Sequence, residues 1–173
     1  MTIDRKIRGL DDIWTGIVIH HTGVGKRDIE QISTSLWHRL YKGVINWLST
    51  DDSNYVSAHY VISRNGEFTC VVDPDSYIAF HAGKSSFWNP IQRKFVQHCN
   101  DFMIGIELVG DGNKGRFSKE QYHTLAKLCR YLLDKFKSIE PQCITGHEVV
   151  SPGRKVDPGF YFDWRRFFND LYS

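Results

Sequence analysis

The sequence predicts an α/β domain with a central mixed β-sheet flanked by helices. Three observations predict it: short apolar runs at residues 17–19 and 103–109, an Asn65-Gly66 hairpin signal, and apolar residues at helical spacing between them. Strand-type and helix-type segments alternate, and one hairpin demands an antiparallel pair, so the sheet is mixed. At 173 residues the chain reads as a single domain over 1–173, with a core at about 14–168.

Each element has a local reason. The β-branched run Ile17-Val18-Ile19 favours a buried strand. After Gly23-Val24-Gly25, Asp28 is placed to cap a helix with Ile29, Ile32, Leu36 and Leu40 on one face. Residues 48–54 are polar and read as a loop. Residues 57–63 and 67–72 flank Asn65-Gly66, which favours a two-residue type I′ turn matching the twist of the strands. Residues 78–82 read as a short strand. Residues 83–101 hold Ser, Asn, Pro and several bases and read as a long surface loop, a length often used for binding. Residues 103–109 form the clearest strand. Ser118-Lys119-Glu120-Gln121 is a capping box, opening a helix with Tyr122, Leu125, Leu128, Leu132 and Phe136 at helical spacing. Residues 142–145 read as the last strand and residues 146–160 as an irregular loop. Asp163 starts a final helix carrying Trp164, Phe167, Phe168 and Leu171.

Composition narrows the function classes. Twenty-two Lys and Arg against 20 Asp and Glu give a net charge of +2, with no electrostatic footprint for nucleic acid. No segment approaches the roughly 18 apolar residues of a membrane span, so no membrane partner is expected. Residues 1–9 carry charge without a following apolar stretch, so no secretory signal and a cytoplasmic location are expected. Export by a holin or a secretion system is the alternative. Cys70, Cys99, Cys129 and Cys143 form no CxxC pair and read as reduced thiols.

Three spots carry chemistry. In Ile19-His20-His21-Thr22 a buried strand runs into two histidines, of which only one faces a given centre because strand side chains alternate. Glu107 interrupts an apolar strand, and a buried lone carboxylate costs several kcal/mol or shifts its pKa upward. The segment from Gly146 to Gly159 gathers His147, Glu148, Arg154, Lys155 and Asp157 in a loop shaped by Gly and Pro. Each alone has a structural explanation: a hydrogen-bonded histidine, an acid paired with Arg, a turn aspartate before Pro158. His59 and His81 share it, and His38 and His123 read as helix-surface residues. Spacing by itself does not identify an enzyme.

Together, Val18-Ile19-His20-His21-Thr22, the stretch from Val56 to Ile62, His81-Ala82-Gly83, the stretch from Asn100 to Leu108, and Thr145-Gly146-His147 followed by the stretch from Gly153 to Gly159 resemble the type 2 zinc N-acetylmuramoyl-L-alanine amidases. That family includes bacterial amidases that recycle anhydro-muropeptides, phage endolysins and animal peptidoglycan recognition proteins. The resemblance runs in order from about Ile17 to Trp164. It implies one Zn²⁺ per chain in an open cleft at one edge of the sheet, held by His20, His147 and Asp157 with a fourth position left for water. It implies Glu107 as general base and Lys155 as the group that stabilises the oxyanion. The bond cut would join the lactyl carbonyl of N-acetylmuramic acid, in its 1,6-anhydro form for the recycling branch, to L-alanine of a muropeptide or of peptidoglycan. His21, His59, His81 and Arg154 are expected to contact substrate, and Arg93 and Lys94 are further basic candidates. A monomer is expected.

The subfamily signals differ. Asp157 stands where many relatives have Cys, and Cys99-Asn100-Asp101-Phe102 precedes the Glu107 strand; both point to the recycling branch. Ala58 replaces the Tyr of phage lysozyme-type amidases, leaving its role to Glu107, and Phe80 replaces a frequent Trp. His20-His21-Thr22 is closer to endolysins and recognition proteins. An endolysin acting on intact peptidoglycan and a non-catalytic peptidoglycan receptor are therefore the alternatives, although receptors of this family lose a metal ligand and this chain keeps all three.

Overall fold

In the computed structural model, residues 5–7, 9, 13–23, 34–49 and 56–173 are described. In chain order the elements are β1 (Arg5–Ile7), β2 (Gly16–His21), α1 (Thr34–Ser49), β3 (Tyr60–Ile62), β4 (Phe68–Cys70), β5 (Tyr77–Ala79), β6 (Ser86–Asn89) and β7 (Lys94–Gln97). There follow β8 (Met103–Leu108), α2 (Lys119–Lys135), β9 (Ile144–Gly146), α3 (His147–Val150) and α4 (Trp164–Tyr172). Five strands form a mixed sheet in the order β4-β3-β8-β2-β9, with β4 alone antiparallel to its neighbour.

Alternation along β2 and β8 divides the sheet into two unlike faces. Ile17, Ile19, Ile104, Ile106 and Leu108 point to one side and join Leu125, Leu128, Leu132, Phe167 and Leu171 of α2 and α4 in the main core. Val18 and Met103 point to the other side, into a smaller cluster with Ala82, Phe87, Cys99 and Val150. His20 and Glu107 follow these two by alternation, and they are direct partners in the β2–β8 register. A third cluster joins Tyr41, Val44 and Leu48 of α1 to Ala58, Val61 and Val109.

The helices form where their caps are. Ser118 Oγ accepts from the Gln121 N–H (3.1 Å), while Gln121 Oε1 accepts from the Ser118 N–H (3.1 Å), completing the capping box of α2. Gln121 is buried and its Nε2 donates to Val109 O (3.0 Å), fixing the helix start against the end of β8. Asp163 Oδ1 accepts from the Arg166 N–H (2.9 Å) at the start of α4.

Several expectations are corrected. The expected loop at 83–101 contains a two-stranded hairpin, β6–β7, with a short 3₁₀ turn at Cys99–Asp101. Its inward Phe87 is buried, which stabilises strands too short to be legible alone. Asn65-Gly66 is not a type I′ turn: Ser63 N–H donates to Glu67 O (2.8 Å) and Gly66 N–H to Ser63 O (3.1 Å), and Gly66 alone is left-handed at φ +85°. The connection is therefore the three residues Arg64-Asn65-Gly66. Leu48 belongs to α1, where it is buried, rather than to a loop. Strand β1 pairs with β5, a partner about 70 residues away that no local pattern reveals. His147–Val150 is a helical turn within the expected loop. The expected Asp28 cap and the Ile29 and Ile32 positions lie outside the described residues.

Candidate metal centre and active-site cleft

The site lies over the C-terminal ends of three adjacent parallel strands, β8, β2 and the edge strand β9. Such strand ends are where open α/β sheets commonly bind ligands. β2 delivers His20, β8 delivers Glu107, and β9 leads directly into α3, whose first residue is His147. The loop after α3 returns so that Asp157 O accepts from the Glu148 N–H (2.9 Å), which brings the Asp157 side chain back over the strand ends.

His20, His147 and Asp157, all buried, converge there. His20 Nδ1 lies 2.9 Å from His147 Nδ1 and 3.1 Å from Asp157 Oδ2, and His147 Nδ1 lies 3.0 Å from the same oxygen. The outer nitrogens explain why these atoms face one another. His81 Nε2 donates to Met103 O (2.9 Å), which leaves His81 Nδ1 to accept from His20 Nε2–H (2.9 Å). His20 Nδ1 is then without a proton. His147 Nε2 donates to Ala82 O (3.2 Å), so His147 Nδ1 is also without one. Three acceptor atoms thus meet with no donor between them, an arrangement that calls for a cation. Two imidazole nitrogens and one carboxylate oxygen suit a borderline ion such as Zn²⁺.

Burial puts His20 in its ligating form. Burial lowers the His20 pKa to about 4, so its imidazole is neutral at pH 7. Burial pushes Glu107 up to about 8, Asp157 adds to this, and Lys155 opposes it. Glu107 Oε2 is buried and has no hydrogen-bond partner among the described residues. A dication bound beside it would favour the carboxylate.

A cleft of about 470 Å³ opens over the triad, lined among others by His21, His81, Glu107, Arg154, Lys155 and Val156. Lys155 is exposed at its rim. Of the four residues expected at substrate, His21, His81 and Arg154 line the cleft. His59 does not line the cleft: it is fully buried, its Nδ1 accepts from the Gly105 N–H (3.0 Å), and its ring packs on Trp14. His81 lines the cleft floor, but both its nitrogens are committed to Met103 and His20. His21 Nδ1 accepts from the Gly112 N–H (3.0 Å), which joins β2 to the loop after β8. Arg154 lines the cleft while its guanidinium donates to Ala82 O and to Lys84 O (3.0 Å), bracing the carbonyl that orients His147.

Sequence reasoning missed the residues that hold His81. Asn100 Oδ1 accepts from the N–H groups of both His81 (3.0 Å) and Ala82 (2.7 Å). Gly105 makes room for the ring, since a Cβ there would lie 2.4 Å from His81 Cγ. The signals were a glycine inside a buried strand and an Asn just before it.

A family model described as N-acetylmuramoyl-L-alanine amidase matches residues 10–160. Over 116 residues, 67% of this chain and 59% of the relative, the sequence is 41% identical to the 1,6-anhydro-N-acetylmuramyl-L-alanine amidase AmpD of Haemophilus influenzae. The chain spans under three fifths of the length of the curated AmpD relatives it matches. Among solved structures, a selenomethionine AmpD derivative superposes with a TM-score of 0.73 at 30% identity, covering 97% of this chain and 90% of that one. The amidase AmiD from Escherichia coli, in complex with anhydro-N-acetylmuramic acid-L-Ala-D-γ-Glu-L-Lys, shares the fold with a TM-score of 0.71 at 22% identity, covering 94% and 60%.

Proposed function

The chain belongs to the N-acetylmuramoyl-L-alanine amidase family, and from that premise we propose that it is a zinc-dependent amidase of cell-wall recycling. It hydrolyses the amide between the lactyl carbonyl of N-acetylmuramic acid, in its 1,6-anhydro form, and L-alanine in peptidoglycan fragments. The observation that carries this reading is the meeting of three acceptor atoms in a cleft that also holds the buried Glu107, whose Oε2 has no hydrogen-bond partner among the described residues. The printed names of the AmpD relatives, and the ligand held by AmiD, support the substrate. Four free thiols agree with action in the cytoplasm. The chain acts as a single amidase domain.

Zinc held by His20, His147 and Asp157 would supply polarisation of the scissile carbonyl and an acidified water. Glu107 does the proton transfer. Its Oε2 takes a proton from the attacking water as oxygen bonds to the carbonyl carbon, and returns it to the L-alanine nitrogen as the C–N bond breaks. Lys155 brings a positive charge to the carbonyl oxygen as that oxygen becomes negative. His81 and Ala82 O hold the two histidines so that no proton sits on the ligating nitrogens.

The test measures bound zinc and peptide release from a soluble 1,6-anhydro-muramyl tripeptide on the same samples. The wild type is expected to hold one zinc per chain and to release free tripeptide. His147→Ala should lose both. Glu107→Gln should keep its zinc while turnover falls roughly 10²- to 10⁴-fold. Full zinc occupancy in His147→Ala would overturn the ligand set, and near wild-type turnover in Glu107→Gln would remove that residue from proton transfer.

A further inference from the structure

The β6–β7 hairpin has a feature the cleft does not use. Its register pairs Ser86 with Gln97 and Trp88 with Phe95, so these four share one face, while Phe87 and Asn89 point inward and are buried. On the outer face Trp88 is 49% exposed and Phe95 67% exposed, edge to face with ring centroids 5.2 Å apart. Ser86 and Gln97 place a hydroxyl and an amide on the same face. We propose that this face is a saccharide platform, taking the N-acetylated sugars attached to the muramyl residue whose peptide is cut.

Four observations favour that occupant. First, the aromatic pair is bordered by hydrogen-bonding side chains, which suits a sugar ring with an apolar face and polar edges. Second, residues 76–100 contain Lys84, Arg93 and Lys94 but no Asp or Glu, complementing the carboxylates of stem peptides carried by such a glycan. Third, the hairpin is hydrogen-bonded at its tip and at its base. Asn89 Oδ1 accepts from the N–H groups of Ile91 and Gln92 (both 3.0 Å) at its tip. At its base Ser85 Oγ accepts from the Cys99 N–H (3.0 Å). Fourth, the base is bonded to the catalytic loop: Lys84 O accepts from Ser151 Oγ (2.9 Å) and Arg154 (3.0 Å). The platform thus belongs to an element bonded directly to the segment that carries Arg154, a residue of the cleft lining. Two half-exposed rings cover far less than the roughly 800 Å² per partner of a stable dimer. A membrane-inserting tip would be apolar throughout, whereas Gln92 and Arg93 follow Ile91 here.

The identity of the sugar rests on the amidase reading; the existence of the platform does not. The experiment titrates the zinc-loaded full chain with the soluble tetramer of β-1,4-linked N-acetylglucosamine, which carries no peptide. Tryptophan fluorescence and amide NMR shifts report binding. Shifts at Trp88, Phe95 and Gln97 are expected, with affinity at least about tenfold weaker in both Trp88→Ala and Phe95→Ala, that factor being about 1.4 kcal/mol. Zinc content and thermal midpoint establish that each variant is folded. Absence of shifts at the hairpin, or equal affinity in both variants, overturns the proposal. Trp88-dependent binding of phosphatidylglycerol vesicles, or Trp88-dependent dimerisation, with no response to the tetramer also overturns it. Cleavage of the anhydro-muramyl tripeptide is measured separately: tetramer binding without cleavage would sink the amidase reading and leave the platform standing.

Discussion

The two faces of the central sheet are built from alternate residues of the same strands, yet they are specified in different ways. On the helix-covered face, Ile17, Ile19, Ile104, Ile106 and Leu108 are interchangeable in kind: each contributes buried area, and several neighbours share its contacts. On the opposite face each position is particular: His20 is bonded to His81, Gly105 leaves room for the His81 ring, and Glu107 is a buried carboxylate. Loss of an apolar contact there matters less than loss of a donor or acceptor, because a buried polar atom without its partner costs about 1–3 kcal/mol. One face sets whether the chain folds; the other sets what the folded chain can bind.

That contrast breaks most visibly with a change confined to the first face. Phe167 is fully buried in α4 against the core. Phe167→Ala should lower stability by about 3–5 kcal/mol. Denaturant unfolding of the metal-free protein reads this directly. Folded molecules of the variant should still take up zinc with wild-type affinity. A matching loss of intrinsic zinc affinity would show that the faces are mechanically coupled rather than separately specified.

The same division explains what was legible in the sequence. The apolar face announces itself, since period-two and period-3.6 patterns locate β2, β8, α2 and α4, and the Ser118 and Asp163 caps lie where the pattern puts them. Strands of three or four residues, such as β1 and β6, carry too few alternations to register; their partners, not their own residues, make them strands. At the site, the residue types at positions 20, 107, 147 and 157 were informative, but their meeting depends on the parallel pairing of β2 with β9 across more than 120 residues. His81 was the hardest to read. Its environment comes from Asn100, Gly105 and the Met103 carbonyl, and a backbone carbonyl leaves no mark in a sequence.

A smaller effect sharpens the second half of the comparison. If His81 acts through His20, then His81→Phe keeps the buried volume and removes the acceptor that holds the His20 Nε2 proton. Zinc affinity, measured by competition with a chelator, should fall by about 10- to 100-fold. His81→Asn, which restores an acceptor oxygen, should recover part of it. The ring ¹⁵N shifts of His20 in the metal-free protein should change tautomer in the Phe variant. Equal affinities for wild type and the Phe variant would make His81 a packing residue only.

A further effect lies in Glu107 and in the sign of a pH dependence. In the metal-free protein its folded pKa is about 8, raised by burial from the ordinary carboxylate range. The folded state therefore holds a proton that the unfolded state has released, throughout the interval between the two values. Stability contributed by that proton is present below pH 4.5 and declines as pH rises toward 8. His20 works in the opposite sense: its folded pKa of about 4 lies below the ordinary 6.5, so its contribution is lost as pH falls through that window. Glu107→Gln removes only the first of these. Comparing metal-free wild type and variant, the difference in thermal midpoint should move in favour of the variant between pH 5 and pH 8, while the acid-side decline due to His20 stays in both. A difference independent of pH would mean that Glu107 is solvated in the metal-free protein. The carboxylate would then reach the reaction by way of an open cleft, not a buried wall, and the apolar surroundings of the second face would have no part in tuning it.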